Sequence, residues 1–378
     1  MKKIFLLLII LTIFPSWVFA LELAPNAKSS ILIEASTGKV LYENNSSERR
    51  APASMTKVMT LLLIMEKLEN GSIKFTDQVP ISENASKMGG SQVFLEAGSE
   101  MSVEQLVKAI SIASGNDAAV AMAEFIGGSV EKFVGMMNNK ARELGMNNTN
   151  YENVHGLDSE NHYTSAADMA IVARELVKHK KILEFSSTYE EYLKKPDGSS
   201  TWMVNTNKLI RYYSGLDGLK TGFTETAGYC LTATASKNNM RLISVVMGEE
   251  SSEVRNKETV ELLNYGFSNY KTKNILKKTS KFDKIKIYNG KKDTINISLK
   301  DDVSDLIGKD DNNNYKYEIK IDKIEAPIKK GQKVGILILK SNEKKISEFD
   351  IVSLESVKKA NYIDYYKKNL KNFITGLN

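Results

Sequence analysis

Ser54-Met55-Thr56-Lys57, Ser114-Gly115-Asn116 and Lys220-Thr221-Gly222 occur in that order along a chain of 378 residues. Together they supply what acyl transfer by a serine needs when its base is a lysine. A hydroxyl is a poor nucleophile until a base removes its proton. Ser54 and Lys57 are three residues apart, which puts them on one face of a helix. Lys57 can be that base only if uncharged, and a free lysine holds its proton up to about pH 10.4. Apolar burial and a second cation, Lys220, both push that value down. Ser114 can pass a proton between the lysines and the leaving amine, and Asn116 offers an amide to substrate or to Lys57. Lys220 and Thr221 suit a substrate carboxylate, with one charge and one hydroxyl. Gly222 leaves room for a substrate backbone beside a strand. The N–H groups at Ser54 and of Phe223 are the expected oxyanion donors.

Each string alone is weak. S-x-x-K recurs at Ser36, Ser129, Ser268, Ser341 and Ser356, and S-x-N at Ser82, Ser159 and Ser236. Only K-T-G is unique. Read singly, Ser54 is a helix cap, Lys57 a surface lysine, Ser114 to Asn116 a turn and Thr221-Gly222 a strand end. Order and context carry the argument: Ser54 opens a long apolar segment and Lys220 a strand-like one.

The elements around these strings follow from periodicity. Ser30 to Ala35, a turn at Ser36 to Lys39 and Val40 to Tyr42 predict an edge hairpin. Ser54 to Leu68 predicts a helix that is apolar on nearly every side and therefore buried, closed by Asn70-Gly71. Further helices are expected over 103–112, 117–125, 131–144 and from Thr164 or Ser165 to His179, with Asp168 as capping partner. Met88 to Ser91 reads as a loop. Strands return over 218–223, 229–235 and 241–247. Strands at both ends with helices between predict an α+β domain, an antiparallel sheet packed by helices.

Near residue 272 lysine rises and short alternating runs begin. Ile285 and Ile287, then Tyr317, Ile319 and Ile321, then 334–339 and 349–354 predict a small all-β domain. In the final segment Tyr362, Ile363, Tyr366, Leu370, Phe373, Ile374 and Leu377 gather on one helical face, with Lys367, Lys368 and Lys371 outside it. That pattern is that of a helix lying on a membrane surface.

The N-terminus carries an export signal: Lys2 and Lys3, an apolar run from Ile4 to Phe14, and Val18-Phe19-Ala20 at the cleavage site. The expected division is 1–20 signal peptide, 21–271 catalytic domain, 272–357 a β-sandwich-like domain and 358–378 the surface helix. The single cysteine, Cys230, excludes an intramolecular disulfide and reads as a small buried hydrophobe. His155, His162 and His179 lack metal-ligand spacing. Neither a metal nor another cofactor is expected. A formal charge of +6 gives no case for nucleic acid and suits an exported protein among anionic wall polymers or lipids.

The chain resembles the serine-type D-alanyl-D-alanine carboxypeptidases, low-molecular-mass penicillin-binding proteins of peptidase family S11. Beyond the three motifs, Arg50 to Lys57, Ala113 to Ala118, Glu143-Leu144-Gly145-Met146, His155-Gly156-Leu157 and Asp217 to Gly222 read like this family. The likeness covers roughly residues 25 to 270, with a looser match in the β-rich tail. It implies a penicillin-binding, β-lactamase-like transpeptidase fold. It also implies that Ser54 attacks the penultimate D-alanine carbonyl of a peptidoglycan stem pentapeptide, that the terminal D-alanine leaves with its carboxylate held by Lys220, and that water hydrolyses the acyl-enzyme. β-Lactams would acylate Ser54. The implied location is the outer face of the cytoplasmic membrane. Three alternatives differ in prediction: a class A β-lactamase, which needs a glutamate-activated water and finds only Glu143…Asn147; an endopeptidase or transpeptidase using the same acyl-enzyme; and a tethered, non-catalytic wall-binding protein.

Overall fold

The structure is a computed structural model and describes residues 22–375 except residue 312. The expected signal peptide and Leu377 lie outside the described residues.

Strands β1 (Ser29–Glu34) and β2 (Val40–Asn44) form the expected hairpin. Helix α1 (Lys57–Glu69) is buried continuously from Lys57 to Met65, as its all-round apolar sequence requires. Helices α2 (Val103–Ala113), α3 (Asn116–Gly127), α4 (Val130–Glu143) and α5 (Ala166–Leu176) follow. Ser165 caps α5 by accepting from the Asp168 N–H. Strands β3 (Leu216–Thr224), β4 (Gly228–Lys237) and β5 (Met240–Glu249) then complete the sheet, and α6 (Ser252–Asn269) covers it.

The five strands run in the order β2-β1-β5-β4-β3, every pair antiparallel. Alternate residues of the central strands serve two cores. Ile31, Ile33, Val245 and Met247 pack with α1 to α5, whereas Leu32, Leu231, Leu242 and Val246 pack with Leu262 and Leu263 of α6. The expected α+β class is the class observed.

Two of the elements that local pattern does not announce bear on the sheet and the site. One is a hairpin of Glu190–Lys194 and Ser200–Val204. The other is α6, whose buried positions include Arg255, Glu258 and Thr259, so its apolar stripe is thin.

Strand β6 (Tyr270–Leu276) starts directly after α6 and pairs with β7 (Val303–Gly308). A second sheet orders Ile297–Leu299 beside β10 (Lys344–Ser353), β9 (Lys333–Ser341) and β8 (Tyr315–Ile321). Its core contains Leu299, Leu337, Leu339 and Ile351. Tyr317, Ile319 and Ile321 alternate as expected but stay exposed, because β8 is the edge strand. The two cores are joined at the β1–β2 turn: Lys39 pairs with buried Asp305, and Thr272 Oγ1 donates to Glu34 Oε1 at 3.3 Å.

Helix α7 (Tyr362–Thr375) ends the described chain. Tyr365 donates to Asn289 and Asp364 pairs with Lys291, which hold its first turn to the β domain. Tyr362, Tyr366 and Phe373 are 94%, 70% and 68% exposed, so the apolar face points away from that domain. No described helix is long and apolar enough to cross a membrane.

Candidate active site

A 3-10 turn, Ala53–Thr56, leads into α1. Ser54 therefore sits in this turn, and Lys57 is the first residue of the α-helix rather than its fourth. Ala53 holds φ at 47°, a left-handed conformation that a Cβ disfavours. Two glycines close on this turn. A Cβ on Gly156 would lie 1.8 Å from Ala53 O, and a Cβ on Gly222 would lie 2.8 Å from Pro52 O and 3.2 Å from Ser54 N. The missing side chain of Gly222 thus makes room for the Ser54 turn itself, where the sequence reading had placed substrate.

Lys57 is wholly buried. Its Nζ lies 2.9 Å from Ser54 Oγ, 2.6 Å from Asn116 Oδ1 and 2.7 Å from His155 O. A neutral amine has two N–H bonds and one lone pair. Two carbonyl oxygens take the N–H bonds, and the lone pair is left facing the Ser54 hydroxyl. Burial, and then the charge of Lys220, hold the amine well below the usual lysine range, with Asp117 opposing.

Asn116 opens α3 and is fixed at three atoms. Its Nδ2 donates to Gly89 O at 2.7 Å, its backbone N–H to Ser91 O at 2.7 Å, and its Oδ1 accepts from Lys57. The Met88 to Ser91 loop is therefore part of this site. Ser114 ends α2 in the left-handed region at φ 63°. Its Oγ is buried and has no hydrogen-bond partner among the described residues.

Lys220 is 1% exposed, and its Nζ donates to Thr221 O at 2.9 Å. No carboxylate is within ion-pair distance of it among the described residues. Burial, and then the Arg255 guanidinium, push its pKa down to about 7. Thr221 Oγ1 donates to Thr206 Oγ1 at 2.7 Å. The Phe223 ring is half exposed and stacks on Tyr229 with centroids 4.3 Å apart. A lysine buried without an acid, and so only weakly holding its proton near neutral pH, is suited to an incoming anion.

Direct hydrogen bonds unite Ser54, Lys57 and Asn116, charge couples Lys220 to Lys57, and close contact joins Gly222 to the Ser54 turn. Ser114 lies two residues before Asn116 with its hydroxyl uncommitted.

Several residues that build the site had no role in the sequence reading. His155 contributes its carbonyl, not its ring. His162 Nδ1 accepts from the Glu152 N–H at 2.9 Å, so its proton sits on Nε2 and is donated to Thr56 Oγ1 at 2.7 Å. Thr60 Oγ1 donates to Val154 O. Arg255 enters from α6. The only sequence trace of these was the family-like string His155-Gly156-Leu157. Cys230 is buried with its Sγ against Ala227 O, as a small core residue.

A family model for D-alanyl-D-alanine carboxypeptidase (peptidase S11) matches residues 19–251, and one for the penicillin-binding protein 5 C-terminal domain matches residues 270–359. The chain belongs to the D-alanyl-D-alanine carboxypeptidase family. It is 51% identical over 351 residues to the D-alanyl-D-alanine carboxypeptidase DacF of Bacillus subtilis, covering 92% of this chain and 90% of that one. DacA of Escherichia coli is 36% identical over 356 residues, covering 90% and 87%. The crystal structure of penicillin-binding protein 5 from Haemophilus influenzae aligns with a TM-score of 0.70 at 33% identity, over 88% of this chain and 98% of that one. The protein is therefore a serine-type D-alanyl-D-alanine carboxypeptidase of the penicillin-binding protein family. Glu143, the residue a β-lactamase reading would use, pairs with Lys140 at the exposed end of α4 in this carboxypeptidase.

The Gly222 contacts generate a test. Gly222→Ala should push the Ser54 turn outward and slow acylation by fluorescent penicillin about tenfold or more, since sub-ångström misplacement of reacting groups is costly. Stopped-flow labelling beside a thermal melt reads the two effects separately.

Proposed function

We propose that Ser54 is the nucleophile of this carboxypeptidase and neutral Lys57 its base. The observation that carries the reading is the Lys57 amine, placed between Ser54 Oγ and two carbonyl oxygens. The Ser54 proton moves to Lys57 Nζ as Oγ attacks the carbonyl of the penultimate D-alanine. The N–H groups of Ser54 and Phe223 receive the oxyanion. Ser114, with its uncommitted hydroxyl, relays the proton to the departing amine as the C–N bond breaks. Asn116 holds Lys57 in orientation. Lys220 and Thr221 bind the carboxylate of the terminal D-alanine, and the Arg255 charge beside Lys220 strengthens that field. Water then attacks the Ser54 ester with Lys57 again taking the proton. β-Lactams acylate the same hydroxyl and occupy the same carboxylate site.

We further propose that residues 1–20 direct export and are removed, that 21–271 form the catalytic domain and 272–357 the β-sandwich-like domain, and that 358–378 lie on the outer face of the cytoplasmic membrane. The exposed aromatic face of α7 supports the last point, because an apolar face in the interface gains burial and flanking lysines attract anionic lipid. The enzyme then works at the wall side of the membrane, where stem peptides ending in D-Ala-D-Ala are made available.

Three outcomes check these assignments. Mass spectrometry with a synthetic pentapeptide ending in D-Ala-D-Ala should show D-alanine release and an ester on Ser54. Ser54→Ala should show neither, and Lys57→Ala should acylate about a thousandfold more slowly, within the usual range for a lost general base. If Lys57→Ala acylates at the parental rate, Lys57 is not the base.

Below the depressed pKa of Lys57 its amine is protonated, so kcat/KM falls as pH falls. Above about 7 free Lys220 loses its charge, so its hold on the peptide carboxylate, and kcat/KM, fall as pH rises. Lys220→Arg keeps a permanent cation and should move the alkaline limb upward. An unmoved limb assigns it to another group.

Deletion of residues 360–378 should release the protein from anionic vesicles in a flotation assay while leaving peptide hydrolysis unchanged. Undiminished flotation removes the anchor assignment.

A further inference from the structure

The steps above leave Asp117 unused. Its carboxylate is fully buried at the start of α3. It accepts from the backbone N–H groups of Val93 at 2.9 and 3.2 Å, Leu95 at 3.2 Å and Ala118 at 2.9 Å. Val93 and Leu95 flank Phe94, which holds φ at 59°, a left-handed conformation that is rare for an aromatic residue. Such a conformation persists only where its surroundings over-determine it, and here the two amides on either side of it are fastened to one carboxylate.

The same loop meets the preceding residue. Gly89 O accepts from Asn116 Nδ2, Ser91 O accepts from the Asn116 N–H, and a Cβ on Gly90 would lie 2.8 Å from Asn116 Nδ2. The loop is thus tied at one end to Asn116 and at the other to Asp117. The orientation of the Asn116 amide has a chemical consequence. With Nδ2 committed to Gly89 O, only Oδ1 can face Lys57. A flipped amide would offer an N–H to Lys57, and a neutral amine would accept it with the lone pair that Ser54 needs.

We propose that Asp117 is a positioning residue for acylation: by pinning the Gly89 to Leu95 loop it locks the Asn116 amide with Oδ1 toward Lys57 and so keeps the Lys57 lone pair for the Ser54 hydroxyl. This rests on Lys57 being the base. Asp117 touches no reacting atom; it acts through the loop and Asn116.

The charged and titratable groups around the Lys57 amine are Lys220 from β3, Asp117 from α3 and His155 from the 153–157 loop. Of these Asp117 alone favours the protonated form, so its loss lowers the Lys57 pKa further. Asp117→Asn in the full chain should therefore change two things in fluorescent-penicillin labelling. The acylation rate should fall about tenfold or more, and its acid limb should move to lower pH. The limb reads the lost charge, whereas the rate at an unchanged melting temperature reads the lost positioning. A rate within about twofold of the parent overturns the proposal.

Gly90→Ala serves if Asp117→Asn does not fold. It leaves Asp117 in place and presses on Asn116 Nδ2 from an exposed loop. A fall of about tenfold at an unchanged melting temperature supports the coupling of loop to amide, and a rate within about twofold of the parent overturns it. Lys57→Ala run alongside separates the two layers. Parental acylation there removes the base and this inference with it. A dead Lys57→Ala beside parental Asp117→Asn or Gly90→Ala removes only the role of Asp117.

Discussion

Two buried lysines with no ion-paired carboxylate among the described residues are the constraint on which the structure turns. Burying an ammonium costs several kcal/mol after relaxation, and a group in that position gives up its charge rather than bear the cost. Lys57 and Lys220 also repel each other. Burial and the Lys220 charge favour the neutral form of the amine beside Ser54, whose nitrogen also donates to Asn116 Oδ1 and His155 O. The other gains most when a carboxylate arrives. On the proposed mechanism the same desolvation makes a base at one end of the site and an anion receptor at the other.

The fold around this pair keeps water out and geometry in. The 3-10 turn and helix α1 place Thr56, Lys57 and Thr60 close together, and each holds part of the 152–162 segment: His162, the His155 carbonyl and the Val154 carbonyl. The segment in turn sends Gly156 against Ala53, on the residue before Ser54. Strand β3 closes from the other side through Gly222. The Ser54 turn is therefore clamped between a loop and a strand at points where no Cβ fits, which is how a left-handed Ala53 is maintained. In the proposed attack, a hydroxyl presented on a strained, clamped turn would lose little freedom.

Much of this was legible in the sequence, and what escaped has a common reason. The buried helix behind Ser54, the strands expected over 218–223, 229–235 and 241–247, and a helix start at Thr164 or Ser165 follow from apolar periodicity and residue type, and the α+β fold is the one observed. The first turn differs because a 3-10 entry precedes α1, a detail set by contacts with Gly156 and Gly222 rather than by local propensity. Helix α6 escaped because it buries Arg255, Glu258 and Thr259, polar residues that pattern reading assigns to solvent. The His155 carbonyl and the carboxylate of Asp117 escaped because backbone atoms and buried acids have no spacing rule. The alternation at Tyr317, Ile319 and Ile321 was read correctly as a strand, yet its apolar side stays open because strand order, which puts β8 at an edge, is not written in local pattern.

The proposed chemistry requires the Lys57 amine to be uncharged in the resting enzyme at neutral pH. Lysine labelled with carbon-13 at Cε, assigned by comparison with Lys57→Arg and followed by NMR through a pH titration, reads that state directly. The expected Lys57 signal is already at the neutral-amine position at pH 7 and titrates only in acid. A signal that stays at the ammonium position until the pH of ordinary surface lysines would contradict it.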